Sequence, residues 1–177
     1  LNAAMTANDS LIADMLQSAF TGTPANDVMT SNVLDNTFAG GLGRDTVVFA
    51  GARSGYAISA GITATVVRDL SLNRDGTDTL AGVERLRFSD SSVALDLGGN
   101  AGVTAKILGA VFGRTAVGNK EYVGIGLNLL DGGMLYQDVM KVALNARLGP
   151  NPSNETVVSV LYTNVVGFAP SASVLAY

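Results

Sequence analysis

The chain has 177 residues, 47% of them hydrophobic, a formal charge of −4, and neither cysteine nor histidine. That is enough apolar material for one or two domains with real cores. The missing residue types exclude Ser-His-Asp and Cys-His catalysis, histidine-ligated zinc and iron–sulfur clusters.

No run of lysine or arginine occurs, so nucleic acid and anionic membrane surfaces are poor partners. No apolar stretch reaches the length of a membrane span, and Leu1 opens no recognisable signal peptide. The chain starts without Met and stops within a pattern, so it is expected to be a fragment of a longer polypeptide.

In chain order, the segment from Asn8 to Phe20 reads as a short amphipathic helix. Asp9 or Ser10 would cap it, and Leu11, Ile12, Met15, Leu16 and Ala19 form one apolar stripe. Such a helix would cover the open end of the strands that follow.

Asp27, Asn36 and Asp45 then fall nine residues apart, each followed two positions later by an apolar side chain: Met29, Phe38 and Val47. The third unit, Gly40-Gly41-Leu42-Gly43-Arg44-Asp45-Thr46-Val47-Val48, matches the nonapeptide G-G-x-G-x-D-x-U-x throughout. The unit at Gly22 keeps its first glycine, Asp27 and Met29, while the middle unit keeps only Phe38, with Asn36 in place of a carboxylate. Gly40-Gly41-Leu42-Gly43 lacks the Lys-Ser/Thr that a phosphate loop requires.

These units resemble the RTX (hemolysin-type) calcium-binding repeats of secreted bacterial proteins. The resemblance implies a parallel β-roll in which each nonapeptide is a half-coil, and it implies calcium as the cofactor. Asp27 and Asp45 would share one ion, Gly22, Gly40, Gly41, Leu42 and Gly43 would offer carbonyls, and the Asn36 side would be weak or empty. Calcium is a hard cation that wants six to eight oxygen ligands, which clustered carbonyls and carboxylates supply.

After Phe49 the pattern changes to hairpins. Residues 55–59 and 62–67 are β-rich and divided by Ala60-Gly61, and Asn73-Arg74-Asp75-Gly76 is the next turn. Strands are expected around Val83–Phe88 and Val93–Leu97. The run from Asp75 to Asp90 is similar to a D-G-x-D-x-L-x-G-V-E-x-L-x-F-x-D segment that follows RTX repeats. Asp69, Asp75 and Asp78 are candidates for a second calcium, with turn capping in solvent as the plainer role.

From Asn100 the periodicity is helical. Val103, Ile107, Leu108, Val111 and Phe112 share a face closed by Gly113; Tyr122, Ile125, Leu129 and Leu130 follow as far as Asp131-Gly132-Gly133. Leu135, Val139, Val142, Ala143 and Leu144 run to Gly149-Pro150, and Asn151 is expected to cap a last helix with Pro152 at its first position. Residues 107–114 and 161–168 echo one another and resemble the L-Y-x-x-V-L-G-R-x-P repeat of a small helical domain, of unknown function, common in secreted RTX proteins. Phe168 stands where that repeat has arginine.

The expectation is therefore an α+β chain: residues 1–99 a capped RTX-like β-roll with a hairpin region, residues 100–177 a truncated helical bundle. Its expected function is a non-catalytic, secreted calcium-binding module for folding after export and for cell-surface attachment or assembly. The alternatives are a structural subunit of a surface layer or filament, and the tail of a secreted RTX hydrolase. Partners would be calcium and either a second copy or a cell-surface component. Glu84 with Asp90, and Lys120 with Glu121, are the pairs that acid–base chemistry could use, but they read better as solvated charges.

Overall fold

The computed structural model describes residues 18–175. The chain divides between Leu95 and Asp96 into two compact units. In the first unit, nine short strands are found among the described residues: β1 (Ala19–Thr21), β2 (Val28–Thr30), β3 (Thr37–Ala39), β4 (Thr46–Val48), β5 (Tyr56–Ala60), β6 (Thr65–Asp69), β7 (Thr77–Ala81), β8 (Arg85–Arg87) and β9 (Ser92–Ala94). The strands are short because each run of alternating side chains is cut by a glycine- or Asx-rich turn.

The strands sort into two open sheets, ordered β1-β3-β7-β6-β5 and β2-β4-β8-β9. Three strands of each sheet run parallel: Phe20, Phe38 and Leu80 lie side by side in one, and Met29, Val47 and Leu86 in the other. Antiparallel strands complete both sheets. The β5–β6 hairpin lies against β7, and β9 turns back along β8.

Phe38, Val47, Val67, Leu80 and Leu86 are buried in one core, with Phe20, Met29 and Ile58 packed against it. Phe49, Tyr56 and Phe88 add an aromatic cluster with ring centroids 5.0–5.3 Å apart. Stacked or tilted rings at this separation add to the stability that their burial gives.

This architecture corrects the expected fold and the RTX resemblance. An RTX β-roll adds every coil in parallel; this unit has two open sheets of mixed topology. The physical cause lies in the connections. The expected turn at Ala60-Gly61, closed by the Gly61 amide on the Ala64 carbonyl, reverses the chain, and the hairpin it forms joins the parallel strands by pairing β6 antiparallel with β7. The amide of Phe88 likewise reaches the Ser91 carbonyl and turns β8 back as β9. The helix expected from Asn8 falls mostly outside the described residues, and at its end Ala19 and Phe20 belong to β1.

The second unit is helical: α1 (Asn100–Phe112), α2 (Lys120–Asp131), α3 (Tyr136–Leu148), α4 (Asn154–Val166) and the short α5 (Ala172–Leu175). Gly113, Gly149 and Gly167 end α1, α3 and α4 with positive φ, a conformation glycine adopts without a Cβ clash. The expected cap at Asn151 moves to Ser153, whose hydroxyl accepts the Thr156 amide, while Asn151 takes a left-handed conformation in the loop. The core consists of Ile107, Val111, Leu130 and Val139, with Leu161 of α4 packed against it.

Thr104 of α1 is buried against Gly126 of α2. A Cβ on Gly126 would lie 2.7 Å from its methyl carbon, so glycine sets that approach. The Thr104 hydroxyl has no hydrogen-bond partner among the described residues. Replacing an unsatisfied buried hydroxyl by a methyl of the same shape removes a desolvation cost of ~1 kcal/mol or more. Thr104→Val is therefore expected to raise the unfolding free energy by about 1 kcal/mol in a urea titration, and a comparable loss would show that the hydroxyl is satisfied.

Candidate functional site: the stacked turns and their carboxylates

The polar positions of the nonapeptides lie in turns that stack between the strands. On one side, the turn from Gly22 to Asp27 lies on the turn from Gly40 to Asp45. A Cβ on Gly22 would meet the Gly40 carbonyl oxygen at 2.1 Å, and one on Gly40 would meet the Gly82 carbonyl oxygen at 1.9 Å. Hydrogen bonds hold the layers at this spacing, from the Gly22 amide to the Ala39 carbonyl and from the Gly40 amide to the Ala81 carbonyl. Glycine at the head of each layer is therefore a requirement of backbone contact.

The carboxylates bind the layers together. Asp45 Oδ1 accepts the Asp27 amide at 2.9 Å, and Glu84 Oε2 accepts the Asp45 amide at 2.8 Å. Asp27 turns inward on its own layer, accepting the Thr23 amide and hydroxyl. Asn26 Oδ1 takes the Arg44 amide from the layer above. Each is a side-chain acceptor placed on a backbone donor, and with an ionised acceptor such bonds are about twice as strong as neutral ones.

The opposite turns follow the same rule. Asp78 Oδ1 accepts the Asn36 amide at 2.9 Å and Oδ2 accepts the Ser31 hydroxyl at 2.6 Å. Asn36 takes the Asn32 amide with its own carbonyl, and Asp35 takes the Thr77 amide. Asp75 is buried and accepts the Ala50 amide together with the Tyr56 hydroxyl. Burial and this carboxylate push the Tyr56 phenol above its ordinary range. Arg74 lies over the Tyr56 ring, 4.7 Å from its centroid, and pairs with Asp69. Burial pushes Asp69 upward, but the Arg74 guanidinium and the Ser71 and Asp75 amides outweigh it, and its carboxyl is held below the usual range.

Asp78 behaves differently. Burial is the largest influence and raises its pKa to about 6, with the Asp75 and Asp35 charges adding to it against the Ser31 and Asn36 hydrogen bonds.

The nonapeptide residues are thus brought together, but as a hydrogen-bonded ladder. Among the described residues no group of three or more acidic side chains is placed to hold a metal ion. The Asp27 and Asp45 carboxylates accept backbone amides, Asn36 serves its own turn, and Asp75 and Asp78 each hold an amide and a hydroxyl. Leu42 is exposed at the turn tip, and Gly41 and Gly43 supply the positive φ angles on either side of it.

Glu84, Asn26, Asp35 and Ser31 were not singled out as partners. The signal for Asn26 is its place eighteen residues before Arg44, the spacing that also relates Asp27 to Asp45. Glu84 gives no comparable signal, because the inserted β5–β6 hairpin puts its layer out of the nine-residue count.

One oxygen is left over. Asp45 is fully buried, and its Oδ2 has no hydrogen-bond partner among the described residues. It packs against the Hα edge of Gly40, where a Cβ would come within 2.5 Å of it, close to the Gly82 carbonyl oxygen. The donors available there are a carboxylate oxygen and a backbone carbonyl, the oxygen chemistry of a hard cation.

No family model matches the chain, and no curated protein and no solved structure matches it.

Proposed function

We propose that the first unit is a non-catalytic module whose folded state is completed by one calcium ion at the Asp45 carboxylate, and that the chain serves attachment or assembly outside the cell. The observation that carries this reading is the buried, unpartnered Asp45 Oδ2 beside backbone oxygen. An orphaned carboxylate oxygen in a protein interior is costly unless something positive meets it. When bound, calcium would supply that charge, with Asp45 and the Gly82 carbonyl as its holders. Asp45 Oδ1 accepts the Asp27 amide, so the residue joins two layers and would offer its second oxygen to an ion.

A site with a single carboxylate is a weak one. Affinity in calcium sites follows ligand charge, and extracellular modules work at roughly 10⁻⁴–10⁻³ M. Such a site is filled where calcium is millimolar, which supports the extracellular placement. The assembly part draws on the second unit, where Leu135, Val165 and Phe168 are largely exposed and α4 has no fully buried residue.

The test compares thermal melts in chelator, in calcium and in magnesium, for the wild type and for Asp45→Asn. The amide keeps an acceptor for the Asp27 amide but removes the charge. With calcium at ten times a millimolar dissociation constant, linkage stabilises by about 1.4 kcal/mol, a rise of roughly 5–10 °C for a unit of this size. The wild type is expected to show that rise with calcium and not magnesium, and Asp45→Asn to show none. Sedimentation in the same calcium series reads assembly. Identical melts of wild type with and without calcium would end the cation reading.

A further inference from the structure

The turns from Gly22 to Asp27 and from Gly40 to Asp45 are two copies of one arrangement, 18 residues apart. In each, the aspartate Oδ2 lies beside the glycine that opens its own turn, and the carbonyl oxygen of the next layer's glycine lies there too. Asp27 Oδ2 and the Gly40 oxygen meet at Gly22; Asp45 Oδ2 and the Gly82 oxygen meet at Gly40. In each, a carboxylate of the next layer accepts the aspartate's own amide, Asp45 for the first turn and Glu84 for the second. The copies differ in what reaches Oδ2. Thr23 gives Asp27 Oδ2 its amide at 2.6 Å and its hydroxyl at 3.0 Å. Asp45 Oδ2 receives neither.

The cause lies in the residue after the opening glycine. Thr23 is not among the residues with positive φ, and Pro24 behind it favours an extended conformation. In the second turn Gly41 holds φ at 102° and Gly43 holds it at 107°, and the Gly41 amide does not reach Asp45 Oδ2. Side chains oppose that backbone conformation, so glycine is what keeps the donor away. The opposite turns use the same solution as Thr23: the Ser31 hydroxyl meets Asp78 Oδ2 and the Tyr56 hydroxyl meets Asp75 Oδ2. A hydroxyl or amide donor and a cation are alternative answers to the need of one carboxylate oxygen.

We infer that Thr23, held by Pro24, closes the first turn to calcium, and that Gly41 keeps the second turn open. The residue after the opening glycine thus selects which layer takes an ion. The inference rests on the reading of Asp45 as a calcium holder.

The experiment titrates the full chain with calcium chloride, and with magnesium chloride as control, while following the side-chain carboxyl carbon resonances of Asp27 and Asp45. In the wild type the Asp45 resonance is expected to move saturably with calcium, and Asp45→Asn is expected to leave no saturable curve at Asp27. Thr23→Gly, Pro24→Leu and Ala25→Gly together give the first turn the glycines of the second. In the Asp45→Asn background this triple change is expected to produce a calcium curve at Asp27, with a dissociation constant on the order of a millimolar. Should the triple change alter the amide spectrum of the fold, Thr23→Gly alone is read in the same way, since Thr23 is exposed in the outermost layer.

A calcium curve at Asp27 in Asp45→Asn, with Thr23 in place, overturns the inference, because the closed turn then binds. So does a silent Asp27 in the folded, opened turn when wild-type Asp45 responds. A wild type silent at Asp45 ends the calcium reading of that residue, and an opened first turn that then binds at Asp27 still upholds the closing role of Thr23.

Discussion

Gly40→Ala is expected to unfold the first unit, at a cost of more than about 4 kcal/mol, the range reserved for severe backbone or core damage. The added Cβ would stand 1.9 Å from the Gly82 carbonyl oxygen, 2.5 Å from Asp45 Oδ2 and 2.9 Å from Asp45 Cβ. The nearest of these is backbone and cannot swing aside. Moving it would break the bond from the Gly40 amide to Ala81 that holds β3 and β7 in register. Gly40 is not among the glycines with positive φ, so the penalty is one of space between layers. Gly124 in α2 is the matched control: nothing lies within 4 Å of its Cβ position, and Gly124→Ala should stabilise by about 0.5–1 kcal/mol through helix propensity. Circular dichroism melts read both, with strand signal lost and helical signal retained in Gly40→Ala. A Gly40→Ala protein that melts like wild type would mean that the layers can separate without cost.

The second large effect is a dependence of stability on pH carried by Asp78. Its folded pKa is raised to about 6 from an ordinary 3.8, with burial the leading cause. Between these values the folded state holds a proton that the unfolded state has released, so stability falls as pH rises through that window. The loss is about 3 kcal/mol by pH 7, since each pKa unit is worth 1.36 kcal/mol. Asp69 acts in the opposite sense and at lower pH: its depressed carboxyl stabilises above the ordinary value, and that contribution is lost as pH falls through its folded pKa.

Asp78→Asn isolates the first of these. The new amide oxygen can accept the Asn36 amide, and its NH₂ can donate to the Ser31 hydroxyl, which in turn can donate to the Asp75 carbonyl 3.1 Å away. The variant should be more stable than wild type at pH 7 by up to roughly 3 kcal/mol, and nearly equal to it at pH 4. Urea titrations across pH 4–7 measure the difference. Parallel curves for the two proteins would show that Asp78 ionises without cost.

The apolar half of the repeat was legible: Phe38 and Val47, each two residues after a turn residue, are buried in one core, with Met29 packed against it. Three long helices were equally plain, because their apolar stripes end in glycine. The turn at Gly61 that sends β6 back antiparallel along β5 was legible too. Sheet membership was not: the nine-residue period describes a chain that keeps winding one way, and nothing in it records that this hairpin joins β7 through β6 or that β9 turns back along β8. The polar half was less legible for a different reason. An aspartate in a glycine-rich turn can serve a cation or a backbone amide with the same oxygens, and only layer spacing decides between them. Thr104 was hidden as well, because a threonine amid helical apolar residues gives no sign that its hydroxyl goes unmatched.

The parallel stacking also bears on the order in which the first unit can form. Asp27 waits for Asp45, eighteen residues on; Asp45 waits for Glu84, thirty-nine on; and Asn36 waits for Asp78, forty-two on. Closing such long loops costs entropy before any contact repays it, so folds dominated by distant contacts form slowly. A chain delivered from its N-terminus, at a ribosome or through a pore, would present β1 to β6 with one flank of β3 and of β4 still bare. Leu80, Leu86 and Phe88 arrive last and fill the core of both sheets together. Delivered that way, the unit would close its core late, once the segment from Phe88 to Leu95 had emerged.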